Sequence, residues 1–75
     1  MQISVKMMGV LKDKTPPGAT LELPDGATLD DALDALDVPR KLVQIFSING
    51  DLMREFDRTL EADDELTILA PVAGG

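Results

Sequence analysis

The chain lacks most of the side chains that do chemistry. It has no Cys and no His, which removes thiolate and imidazole metal ligands, disulfides, and the Ser-His and Cys-His nucleophilic pairs. Carboxylates, dispersed lysines and hydroxyls remain. The acids are densest at Asp30-Asp31-Asp34 and Asp63-Asp64-Glu65. A calcium loop places acids at alternate positions around a central glycine and closes on a glutamate at its twelfth residue, a spacing that neither cluster has. Asp30, Asp31 and Asp34 read more simply as the wet side of a helix, and Asp63-Asp64-Glu65 as a turn ahead of a strand. Paired carboxylates for glycoside chemistry need a cleft that so short a chain cannot build. Gly9 and Gly18 stand alone, so there is no glycine-rich phosphate loop. No metal site is expected.

The remaining candidate is the chain's end, Pro71-Val72-Ala73-Gly74-Gly75. Two glycines order poorly and have no side chain to pack, so they add little to closing a fold. From Pro71 onward an extended backbone reaches on the order of 17 Å. A Gly-Gly end passes through a channel too narrow for any Cβ and adopts backbone angles closed to other residues. Two readings stand at this point: a frayed end, or a carboxylate delivered into another protein's active site.

The totals limit what can hold that tail. Seventy-five residues make one small domain, which buries only about 60% of the surface its unfolded chain exposes. Hydrophobic content of 44% with mean hydropathy +0.03 is ordinary for a globular chain. Net charge is −7, from fourteen acidic and seven basic residues. This argues against nucleic acid or an anionic membrane surface as partner, since both call for clustered Lys and Arg; it permits steering toward a basic protein surface. No apolar run approaches the roughly 20 residues needed to cross a bilayer. The opening MQISVKMM lacks the apolar block of a signal peptide, so a cytoplasmic location is expected.

The elements follow from periodicity. Residues 2–8 alternate, with Ile3, Val5 and Met7 on one face, and residues 19–24 alternate through Leu21 and Leu23; a hairpin with a wide loop over 9–18 is expected. Leu29, Ala32, Leu33 and Leu36 fall on one helical stripe. Thr28 suits the N-cap, Asp31 the capping-box position, and Pro39 the stop, which predicts a helix of about ten residues. Residues 43–50 read as a strand closed by Asn49-Gly50, and 66–72 as the last strand. Between them, 51–65 is irregular, anchored by Leu52, Met53, Phe56 and Leu60. This order predicts an α+β fold, a mixed four- to five-stranded sheet with one main helix packed on one face. The helix would meet Ile3, Val5, Leu66, Ile68, Phe46 and Ile48. The other face would present Leu69, Ile45 and Met8, a density of apolar groups that suits a partner surface.

The segments ELPDGATLDDALDAL, INGD and TLEADDELTILAPVAGG resemble the MoaD/ThiS family of ubiquitin-like sulfur carriers over nearly the whole chain, with the proline-containing ending nearer to the MoaD branch. The resemblance implies a ubiquitin-like β-grasp domain over 1–72 and a flexible, extended Gly-Gly tail at 73–75. It also implies a carrier that is not catalytic alone. A ubiquitin-activating-like adenylyltransferase, using ATP and Mg, would adenylate the Gly75 carboxylate, and a sulfur donor would convert it to a thiocarboxylate. Gly74, Ala73, Val72 and Pro71 would thread into the partner, either the molybdopterin synthase large subunit or another sulfur acceptor. A carrier for thiamin thiazole or cysteine synthesis, a modifier joined through Gly75 to lysines, and a plain interaction domain are the alternatives.

Overall fold

A computed structural model describes residues 1–70. The expectations placed on Pro71, Val72, Ala73, Gly74 and Gly75, and the boundary after residue 72, lie outside the described residues.

Five strands form one sheet: β1 (Gln2–Met8), β2 (Thr20–Glu22), β3 (Ile45–Ile48), β4 (Asp51–Met53) and β5 (Glu65–Leu69), in the order β2-β1-β5-β3-β4. β1 and β5 run parallel at the centre, and the other neighbours are antiparallel. One helix, α1 (Leu29–Leu36), completes the ubiquitin-like β-grasp. The alternation of β1 buries Ile3, Val5 and Met7. Beside them lie Phe46, Ile48, Leu66 and Ile68 from β3 and β5, and the whole stripe Leu29, Ala32, Leu33 and Leu36 of α1.

The helix starts where its sequence says it should. The Asp31 amide donates to Thr28 Oγ1 (3.4 Å) and the Thr28 amide donates to the Asp31 carboxylate (2.9 Å), a reciprocal cap that satisfies two otherwise orphaned donors. It ends earlier than the expected stop at Pro39. Asp37 takes a left-handed conformation (φ 58°), so its amide reaches the Asp34 carbonyl and the Val38 amide reaches that of Leu33. Both bonds close the helix with buried Val38 folded against it.

Two segments are more ordered than their sequences suggest. The stretch expected as loop after β1 holds a 3₁₀ turn, Gly9–Lys14, and its Leu11 is buried in the core. The stretch expected to be irregular contains β4. Asn49 and Gly50, at φ 54° and 90°, form the two-residue turn whose twist matches the flanking strands, with Ile48 opposite Asp51. Leu52, expected as an anchor, points outward and is 66% exposed, whereas Leu60 is buried and Met53 and Phe56 pack against the core.

Candidate functional site

The helix covers one face of the sheet and leaves the other open. Strand register decides what that open face presents. Met8 lies opposite Leu69 across the parallel pair, and Leu69 lies opposite Ile45 across the antiparallel pair. Residues directly opposite share a face. The three residues expected on a partner surface therefore form one continuous apolar row across β1, β5 and β3. Met8 is exposed, and Leu69 and Ile45 are half-buried. The next row along the strands is Lys6, Thr67, Ser47 and Leu52, which adds an exposed leucine and an ammonium group to the same face.

The row sits at the end of β5, next to the chain segment that leads to the Gly-Gly end. The Gln44 amide donates to the Leu69 carbonyl (2.9 Å), although Ile45 is the register partner of Leu69. Gln44, just before β3, thus also bonds to the last residue of β5. At the opposite end of β5, the acidic turn is structural. Asp64 is buried; its carboxylate accepts from Asn49 Nδ2 (2.9 Å) and the Glu61 amide (2.8 Å), while Asn49 Oδ1 accepts from the Glu65 amide (2.9 Å). A carboxylate engaged in this way is a clamp between the β3–β4 turn and the start of β5. Asn49 is 15 residues away, and so the acid run alone gave no sign of that half of the clamp.

Among the described residues, no group of three or more acidic side chains is arranged to hold a metal ion, and no helix is long and apolar enough to cross a membrane. Among the described residues, the open sheet face carries an apolar row at the end of β5.

The sequence model of the ThiS family matches residues 5–75. The chain belongs to the ThiS family. This is a family of ubiquitin-like sulfur carriers, and the match extends through Gly75. Solved structures share the fold. SAMP1 from Haloferax volcanii is 24% identical with a TM-score of 0.70, each chain covering 100% of the other. Small archaeal modifier protein 1 of H. volcanii is also 24% identical, with a TM-score of 0.71 over 95% of this chain and 98% of that one. The complex of subunits 1 and 2 of molybdopterin-converting factor from Helicobacter pylori 26695 contains a chain 21% identical to this ThiS-family member, with a TM-score of 0.62 and 100% coverage of each. No curated protein matches it significantly in sequence.

Proposed function

We propose that this ThiS-family protein is a sulfur carrier that works through the carboxylate of Gly75 and serves molybdopterin synthesis. A carboxylate is a poor electrophile until a good leaving group is attached. An adenylyltransferase partner, using ATP and Mg, joins the Gly75 carboxylate oxygen to AMP and releases pyrophosphate. A sulfur donor then displaces AMP at the acyl carbon, leaving a thiocarboxylate. A chain without cysteine can carry sulfur on such an end, and Gly74 lets that end enter a narrow channel. The acceptor is the large subunit of molybdopterin synthase, where the sulfur passes to a pterin precursor.

The observation that carries this reading is the apolar row Met8–Leu69–Ile45. Its central residue, Leu69, lies on the strand that leads to the Gly-Gly end, so a partner docked on the row has the tail within reach. Resemblance to a subunit of the H. pylori molybdopterin-converting factor favours the molybdopterin pathway over thiazole or cysteine synthesis. Intact-mass analysis of protein from its native host is expected to show a fraction heavier by one oxygen-to-sulfur exchange at Gly75. Only the free acid in the presence of the activating enzyme and a sulfur donor would refute the carrier role. Co-purification of a thiazole or cysteine synthase would move it to another pathway.

A second reading has its own support in the fold shared with the small archaeal modifier proteins. In it, the activated Gly75 acylates target lysines. High-mass conjugates that vanish when Gly75 is deleted are the outcome that separates it from sulfur transfer.

A further inference from the structure

β4 ends at Met53, opposite Phe46, so the start of β3 runs on with no strand beside it on that edge. The gap is a notch of about 220 Å³ lined by Val43, Gln44, Ile45, Phe46, Arg54 and Phe56. Drug-sized ligands fill pockets of roughly 300–1,000 Å³, so this one has room for a single large side chain. Its inner wall is fixed. The Phe56 ring stacks on buried Phe46 with centroids 5.7 Å apart. Arg40 sits over the same ring at 4.8 Å, and the Arg40 guanidinium is itself occupied by a two-pronged bond to Asp30 (2.7 and 2.6 Å).

Arg54 at the mouth is different. Its side chain is exposed, and among the described residues no carboxylate lies within 4.0 Å of its guanidinium. A guanidinium without a paired carboxylate beside an apolar notch selects for a carboxylate, which it can hold through two parallel hydrogen bonds. Ile45 belongs both to the notch and to the apolar docking row, so the two surfaces are continuous.

We propose that this notch binds an apolar side chain with a carboxylate next to it, presented in an extended segment by the protein that docks on the Met8–Leu69–Ile45 row. Only the identity of that protein rests on the carrier reading. Phe56 and Phe46 receive the apolar group, and Arg54 chooses the charge.

The test uses the full chain, ¹⁵N-labelled, titrated with acetyl-Leu-Glu-amide to on the order of 10 mM, as suits a ligand of this size. Saturable shifts are expected at Gln44, Ile45, Phe46, Arg54 and Phe56. Acetyl-Leu-Gln-amide and acetyl-Ala-Glu-amide should each bind about 10-fold more weakly, since each lacks one half of the recognition. Arg54→Gln, at an exposed position, should keep its melting temperature and bind the Glu and Gln peptides alike. Equal binding of those two peptides by the unmodified chain, shifts centred elsewhere, or no saturable shifts would overturn the proposal. Much tighter peptide binding by a copy lacking residues 71–75 would also overturn it, assigning the notch to the chain's own end. Sulfur loading read by intact mass is a separate measurement, so either idea can fail while the other stands.

Discussion

Leu69 and Ile68 are adjacent in β5, yet they face opposite surroundings. Ile68 is 0% exposed between sheet and helix, whereas Leu69 is half-buried on the open face between Met8 and Ile45. A charge at the two positions should therefore have opposite consequences. Leu69→Asp loses part of one side chain's burial, about 1 kcal/mol, and leaves its carboxylate in water. The variant is expected to fold, with a melting temperature a few degrees lower, and to lose loading of Gly75 in cells. Ile68→Asp places an unpaired charge in the core and should not fold. Thermal melts and intact mass on the pair check this. Unfolding of Leu69→Asp would reverse the two faces, while a folded and fully loaded Leu69→Asp would remove the row from the docking surface.

At the scale of elements, Asp64 joins its own turn to two segments remote in sequence, the β3–β4 turn and β1. Its carboxylate holds Asn49 from the β3–β4 turn and the Glu61 amide, and its carbonyl accepts from the Ser4 amide in β1 (2.9 Å). Asp64→Ala leaves a part-buried amide and a side-chain donor without their acceptor and is expected to cost about 2 kcal/mol. Asp31→Ala removes an exposed helix cap and should cost about 1 kcal/mol. Urea unfolding should show the larger midpoint shift for Asp64→Ala with an unchanged slope; a smaller shift than that of Asp31→Ala would mean that the clamp contributes little. The contrast also shows what the sequence reveals. The cap is legible because Thr28 and Asp31 are three residues apart, and the helix stripe and strand faces are legible because period 3.6 and period 2 are local signals. The Asp64 clamp, the buried Leu11 and the notch between Val43 and Phe56 each depend on residues brought together by the fold. β4 escaped notice because Asp51-Leu52-Met53 has no residue buried on either face and so carries no alternation to read. The row Met8–Leu69–Ile45 is intermediate: alternation assigns each residue its face, but only register across three strands aligns them.

For the molecule as a whole, charge is the least balanced quantity. Fourteen acids face seven bases. The ion pairs between side chains among the described residues are Arg40–Asp30 and Lys14–Asp37, and exposed pairs of that kind are worth only about 0.2–1 kcal/mol each. A domain of this length has a radius of gyration of about 11 Å. At 0.01 M ionic strength the screening length is about 30 Å, so every acid feels every other, whereas near 0.3 M it falls to roughly 6 Å and only neighbours interact. Screening weakens the few attractions along with the general repulsion, but the repulsion acts among many more pairs and should dominate. Relief of about 1 kcal/mol corresponds to a rise in melting temperature of about 4–8 °C for a domain of this size. Sodium chloride is the right salt for the measurement, because sulfate stabilises folded chains through exclusion from their surface whatever their charge. A melting temperature that rises over this range and then levels off is the expected result. If it instead stayed flat or fell, local pairs such as Arg40–Asp30 would outweigh the net charge, and the acidic surface would be better balanced in the folded state than its composition implies.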